Sequence, residues 1–367
     1  MKQRIRVGLL FGGKSAEHEV SLQSARNIYS ALDPAKYETV LIGIDKAGRW
    51  HTLAPDTWLD APDDPKRIAL GPSMDEIALA HAGADGEIVR VDSQGRGGKL
   101  DVVFPVVHGT GGEDGALQGL LTLMDIPFVG AGVLGSAVGM DKAVMKAILR
   151  DAGIPTARAA VLREGQHGDL DAIAAEIGLP CFVKPANQGS SVGISKVKER
   201  AALDEAVRLA FEFDGKVLVE EFVQGREIEC AVLGNDDPKA SIAGEIIPHH
   251  EFYSYEAKYI DDDGAALAIP AELPAETMAR VQAMAVEAFR ALDCAGMARV
   301  DFFLRDDGAL LLNEINTIPG FTRISMYPKL WEASGIGYGE LVDRLIELAL
   351  ERHAQAAARK THYDPGE

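Results

Sequence analysis

Late in the chain, two acidic residues, an amide and an arginine stand close together. Arg299 and Asp301 lie in RVDFFL (299–304), and Glu314 and Asn316 lie in NEINTIPGFTRIS (313–325). Between them, Asp306-Asp307-Gly308 has the composition of a hairpin turn, which predicts strands over 298–304 and 309–313. In such a hairpin Asp301 lies roughly opposite Asn313 and Glu314. Side chains two apart on a strand share a face, so Arg299 joins Asp301, and Asn316 joins Glu314 if the strand continues. Two carboxylates and an amide oxygen are hard ligands, suited to Mg²⁺ held jointly with nucleotide phosphates. An arginine beside them can stabilise negative charge as it develops. Taken alone, the same residues read as charges capping a hairpin.

They do not stand alone. The loop after the hairpin offers the Gly320 N–H, Arg323 and Ser325. Upstream, Lys184 ends a predicted strand (180–184) ahead of a Gly/Ser loop. A lysine there, followed by many free N–H groups, makes a phosphate clamp and lid. The same loop also reads as a hairpin joining 180–184 to 194–197, and both readings can hold together.

Two further phosphate patterns are rejected. GLLFGGKS (8–15) matches GxxxxGK[ST], but Leu9, Leu10 and Phe11 belong inside a strand. GAGVLG (130–135) matches GxGxxG, yet the acidic residue at the right distance, Asp151, falls at a helix end rather than a strand end. It reads as a helix entry packed closely through small residues.

The elements that must carry these groups follow from pattern. Strands at 4–11 and 38–44 around a helix at 21–32 make a βαβ start and predict a parallel sheet. Residues 51–98 give no clear reading. A strand at 101–107 leads through HGTGGEDG (108–115) into a helix near 116–124. One helix is expected over 136–151, then a helix at 170–177 and strands at 180–184, 194–197 and 216–220. Strands at 227–233 and 242–247, a helix near 275–292 and a terminal helix at 339–352 complete the chain, with a frayed tail beyond.

The chain has 367 residues, 47% apolar and 25% charged, with a net charge of −19. That length predicts two or three domains. The acidity argues against nucleic acid or an anionic membrane as partner, though not against a small polyanion bound by a few converging cations. No segment approaches the ~20 apolar residues of a membrane span. Cys181, Cys230 and Cys294 are far apart and read as buried apolar residues, consistent with a reduced cytoplasm.

The strings GGKSAEHEVSL (12–22), HGTGGEDG (108–115), MDK (140–142), VKPANQGSSVG (183–193), YEAKY (255–259), RVDFFL and NEINTIPGFTRIS occur in order from the first strand nearly to the last helix. Together they resemble the signature segments of the D-alanine–D-alanine ligases, members of the ATP-grasp superfamily. The resemblance implies an α/β and α+β architecture: an N-terminal parallel α/β substrate domain (1–130), a central lid domain (131–219), a C-terminal catalytic domain (220–352) and a tail (353–367), with two α+β domains clamping ATP. It implies a cytoplasmic, ATP-dependent enzyme that makes D-alanyl-D-alanine for peptidoglycan, with a D-alanine–D-lactate ligase or another ATP-grasp carboxylate–amine ligase as the alternative. It also implies two Mg²⁺ ions, with Mn²⁺ as a substitute, and a homodimer.

Residue by residue, Lys142 and Lys184 resemble the lysines on the ATP phosphates, with Ser191 and Lys258 beside the nucleotide. Glu220 and Glu227 resemble the carboxylates that read the adenine amino group and the ribose. Asp301, Glu314 and Asn316 resemble the metal ligands. Glu17 and Ser325 resemble the groups placing the first D-alanine, with His108 near that subsite. Glu17, Ser190 and Tyr259 resemble a hydrogen-bonded triad over the active site, and Arg299 with the Gly320 N–H resembles the oxyanion donors. Arg323 and Lys258 are expected only as outlying charges. Residues 249–268 read as a lid ordered by ligands, and the Tyr259 hydroxyl as a group favouring an amine acceptor over D-lactate.

Overall fold

The structure is a computed structural model that describes residues 4–82, 85–90, 96–166, 168–190, 192–248 and 265–360. The apolar run at the start forms β1 (Ile5–Gly12), flanked on both sides by parallel partners, β2 (Tyr37–Ile44) and β9 (Val102–Pro105). A strand enclosed in this way is buried on both faces, which is why Val7, Leu9, Leu10 and Phe11 follow without alternation. Those residues lie in the strand, so the GLLFGGKS segment is no phosphate loop. The chain turns at Gly12, where a Cβ would stand 2.2 Å from the Ile44 carbonyl oxygen. Helix α1 (His18–Ala31) starts three residues before its expected position.

The unread stretch 51–98 proves to be antiparallel sheet. It forms β3 (Trp50–Leu53), a small ribbon of β4 (Leu59–Asp60) and β5 (Ala69–Leu70), then β6 (Ser73–Ala82), β7 (Asp85–Arg90) and β8 (Arg96–Lys99). Among the described residues the first sheet runs β8-β7-β6-β3-β2-β1-β9. It is therefore mixed, parallel only around β1, and not the wholly parallel sheet that the βαβ start predicts. Its outer strands are polar and interrupted by turn residues, so periodicity is weak there.

After α2 (Ala116–Leu123) the single helix expected over 136–151 is two, α3 (Val133–Met140) and α4 (Lys142–Asp151). Asp141 breaks it. Its backbone is extended and its carboxylate accepts the Ala143 and Val144 N–H groups, both at 3.1 Å, so it caps α4 instead of continuing α3. The GAGVLG segment enters α3, and Gly135 is there for contact: a Cβ would meet the Asp293 carbonyl oxygen at 2.4 Å.

The second sheet joins β10 (Ala159–Arg163), β11 (Cys181–Pro185), β12 (Ser195–Val197) and β13 (Lys216–Glu221) in the order β10-β13-β11-β12, all antiparallel. Helices α5 (Leu170–Ile177) and α6 (Leu203–Phe211) close its own core over Leu162, Val183, Val197 and Val219. The third sheet joins β14 (Arg226–Gly234), β15 (Lys239–Pro248), β16 (Ala265–Ala268), β17 (Gly296–Leu304) and β18 (Leu310–Asn316), in the order β16-β15-β14-β17-β18. One of its faces packs on α7 (Ala275–Ala291), and on Val138, Met145 and Leu149 of α3 and α4. The other meets α8 (Met326–Ala333) and α9 (Tyr338–Ala357) in a cluster shared with β1 and α1. Helix α9 runs past Arg352, where fraying was expected. Fully burying such side chains contributes roughly 1.5–3 kcal/mol each. The first and third sheets thus share one core, while the second keeps its own.

Candidate active site

The three sheets meet at a cleft. The first contributes Glu17, His108 and Glu113, the segment between contributes Lys142, Gly189 and Ser190, and the third contributes Arg299, Asp301, Glu314, Asn316, Gly320 and Ser325. A second cavity adjoins it across Lys142, Ser190 and Glu314 and is walled by Lys184, Glu220 and Glu227.

The hairpin pairs Asp301 with Glu314 and Arg299 with Asn316. Register shifts between Asp301 and Phe302, which pairs with Leu312, so Asn313 is the extra residue and only Glu314 stands opposite Asp301. Arg299 grips both Asp301 oxygens, at 2.8 and 2.7 Å, and lies 3.0 Å from Glu229. The Asn316 amide donates to Asp301 Oδ2 at 3.0 Å. Among the described residues no three His, Cys, Asp or Glu side chains gather to hold a metal by themselves. Two carboxylates and an amide fit a Mg²⁺ ion whose other ligands come from phosphate and water.

Across the cleft, Lys142 donates to the Gln188 carbonyl at 2.8 Å and lies 3.8 Å from the Glu314 carboxylate. Lys184 contacts Glu220 Oε1 at 2.5 Å, and Lys146 contacts Glu220 Oε2 at 2.6 Å. Burial pushes the Glu220 carboxyl up, but the two lysines outweigh it and hold the group ionised, below the usual carboxylate range. Glu17 precedes α1 and accepts a short hydrogen bond from the Ser190 hydroxyl. A Cβ at Gly109 would stand 2.8 Å from Glu17 Oε2, and one at Gly189 3.0 Å, so the carboxylate sits between backbone segments that leave no room for side chains.

A family model described as the D-ala D-ala ligase N-terminus matches residues 6–131, and one described as the D-ala D-ala ligase C-terminus matches 148–347. The chain belongs to the D-alanine–D-alanine ligase family. It is 54% identical over 360 residues to D-alanine–D-alanine ligase A of Salmonella typhimurium, covering 98% of this chain and 99% of that protein. Against the ligase A of Chromobacterium violaceum it is 56% identical over 364 residues, 98% and 100% of the two chains. Among solved structures, the ligase from Coxiella burnetii superposes with a TM-score of 0.82 at 41% identity, covering 96% of each chain. VanG D-Ala:D-Ser ligase from Enterococcus faecalis gives 0.81 at 34%, covering 95% and 100%. The ligase fold is ATP-grasp, and the family uses ATP.

His108 lines the cleft but is fully engaged. One ring nitrogen lies 3.1 Å from the Ile318 carbonyl, the other 3.1 Å from the Ser24 hydroxyl, which itself accepts the Phe321 N–H. That pattern fixes an Nδ1–H tautomer donating to Ile318 and an Nε2 accepting from Ser24. Burial lowers its pKa to about 4, so it is neutral at physiological pH. It joins the first sheet to the 316–325 loop, which positions Gly320 and Ser325. The Ser325 hydroxyl oxygen accepts the Thr322 N–H at 2.9 Å and pairs with the Thr322 hydroxyl at 2.7 Å.

Not every expected residue is drawn in. Arg323 is exposed and outside the cleft lining, because the loop turns its side chain to solvent. Tyr259, Lys258 and Ser191, with most of the expected lid at 249–268, lie outside the described residues. Three charged residues were missed. Glu113 takes the Gly109 N–H at 2.6 Å, and burial, with Glu17 nearby, pushes its carboxyl well above the usual range. Its signal was its place in HGTGGEDG. Glu229 stands opposite Asp301 on β14, two residues from Glu227. Lys146 lies one helical turn from Lys142 and carried no signal of its own.

Proposed function

We propose that this chain joins two D-alanine molecules into D-alanyl-D-alanine with consumption of ATP, supplying a peptidoglycan precursor. The observation that carries the reading is the cleft itself. Arg299, Asp301, Glu314 and Asn316 on one hairpin face Lys142 and the Glu17–Ser190 pair from other parts of the fold.

In this reading the carboxylate of the first D-alanine, oriented by Glu17 and Ser325, attacks the γ-phosphoryl group. A carboxyl O–P bond forms as the β,γ P–O bond breaks, giving D-alanyl phosphate and ADP. Lys142 and Lys184 spread charge over the phosphates, and Glu220 and Glu227 orient adenine and ribose. Asp301, Glu314 and Asn316 would hold Mg²⁺, which when bound would supply positive charge to offset the negative charge of the phosphates. The second D-alanine amine then attacks the acyl carbon, the C–O bond to phosphate breaks, and the proton lost from the amine leaves on the departing phosphate. Arg299 and the Gly320 N–H stabilise the oxyanion. Glu17 and Ser190 close the cleft against water, which would otherwise hydrolyse the acylphosphate.

Two metal ions, with Mn²⁺ as an accepted substitute, a homodimer, a cytoplasmic location and division near residues 130, 219 and 352 belong to the same reading. The three buried free thiols support the location. Phosphate release from Mg-ATP, measured with D-alanine, L-alanine, D-serine and D-lactate, tests the function. D-Alanine-dependent release with dipeptide as product is expected. ATP turnover indifferent to D-alanine overturns the reading.

A further inference from the structure

Glu220 is held from two sides. Its Oε1 faces Lys184 at the wall of the second cavity, 2.5 Å away. Its Oε2 faces Lys146, 2.6 Å away, which approaches from α4 and, among the described residues, lines neither cavity. Lys146 also donates to the Ala157 carbonyl at 3.2 Å, which fixes it at the entry to β10. All three side chains are buried. Burying a second lysine against a carboxylate that already has one costs desolvation free energy and adds no neutralisation. A pair would have been the cheaper arrangement for stability alone.

The extra cation has a consequence for Lys184. In a buried one-to-one pair, neither partner can leave without stranding the other's charge away from water. With Lys146 behind it, Glu220 keeps a counter-charge whatever Lys184 does. We propose that Lys146 is a positioning residue that holds the rear oxygen of Glu220, so that Lys184 can exchange Glu220 for a phosphate oxygen of ATP while Glu220 turns its front oxygen to the base. The triad of two lysines and one carboxylate carries a net positive charge, the sign that draws a polyphosphate. Burial, with the Lys184 charge nearby, lowers the Lys146 pKa against the opposing pull of Glu220, so the geometry rather than the titration carries the inference. This inference rests on the assignment of Lys184 and Glu220 to the nucleotide.

The test is nucleotide binding to the full chain by calorimetry, with ADP and adenosine as separate probes, alongside steady-state kinetics. Lys146→Met keeps the volume and removes the charge. It should weaken ADP binding and raise the KM for ATP about ten-fold or more, leaving adenosine binding and the KM for D-alanine within about two-fold. Lys146→Arg should retain ADP affinity. The double variant Lys146→Met/Glu220→Gln removes the carboxylate that would hold Lys184 and should recover phosphate affinity relative to Lys146→Met, an outcome a merely structural lysine would not produce. Unchanged ADP affinity in Lys146→Met, equal weakening of ADP and adenosine, or no recovery in the double variant would each overturn the proposal. Lys184→Ala is the control for the underlying assignment. If it binds ADP as the parent does, the nucleotide assignment fails. If it loses ADP affinity while Lys146→Met does not, the assignment stands and the role of Lys146 fails.

Discussion

A Cβ added at Gly320 would stand 2.7 Å from the Ser325 hydroxyl oxygen. That oxygen is already committed to Thr322, so Gly320→Ala must displace either the loop or the hydroxyl. The expected result is a KM for D-alanine raised about ten-fold and a stability loss of about 1 kcal/mol. Ser325→Ala added to it should restore the melting temperature but not the KM. If the double variant melts no higher than Gly320→Ala, the clash is elsewhere. His108 gives a pH prediction at the same scale. Unfolded, it takes a proton near 6.5, but folded, only near 4. Between those values the unfolded state binds more protons, so the stability contribution is complete above pH 6.5 and declines as pH falls toward 4, by about 3 kcal/mol at most. Denaturant unfolding of the parent and His108→Gln at pH 5 and 7.5 checks this. The gap between the two proteins should narrow at the lower pH, and a constant gap would refute it.

At the scale of elements, α4 is the case in point. Lys142 is its first residue, where a cation meets the positive end of the helix dipole, an unfavourable place unless an anion binds there. Asp141 compensates by capping the helix and pairing with Lys216. Asp141→Ala should cost about 1–2 kcal/mol and raise the KM for ATP, because the turn carrying Lys142 frays. Asp141→Asn keeps the capping oxygen and should lose less. Chemical denaturation and ATP titration read both effects, and an Asp141→Ala protein unchanged in each would show that the cap does not position Lys142. The hairpin of β17 and β18 was legible because the turn residues and the two-residue period are local. The break before α4 was not, because one Asp competing for backbone N–H groups outweighed a continuous helical pattern.

For the whole molecule, the division of cores matters most. The first and third sheets share a core that includes Phe11, Phe104, Phe321, Tyr327 and Trp331. The second sheet closes on itself and reaches the cleft through polar contacts, Ser190 to Glu17 and Lys142 to Gln188. Ser190 holds φ near +49°, unusual for a residue with a Cβ, which shows that surrounding contacts fix it. Ser190→Ala removes a charge-assisted bond worth about 1.5–3 kcal/mol. It should loosen the closed cleft, and acylphosphate lost to water would then appear as more phosphate than dipeptide. Ser190→Gly relieves the backbone but should uncouple equally. A parent-like phosphate-to-dipeptide ratio in both variants would show that this contact does not seal the site.

Much of the cleft could be read without coordinates. Asp301, Glu314, Asn316, Lys184, Ser325 and Gly320 lie in short stretches whose turn chemistry and period are set locally. The central strands around β1 were legible for the same reason: a continuous apolar run has few other places to go. The partners of those residues were decided only by the tertiary structure. Lys146 reaches Glu220 from a helix far earlier in the chain, Glu229 meets Arg299 across strands, and His108 ends between Ser24 and Ile318. The antiparallel half of the first sheet also depended on the folded whole, its polar outer strands being held by pairing rather than by pattern. Sequence determines which groups the chain carries and how nearby residues face. The charge environment of each group depends on what packs against it from distant parts of the chain, and periodicity carries no information about that.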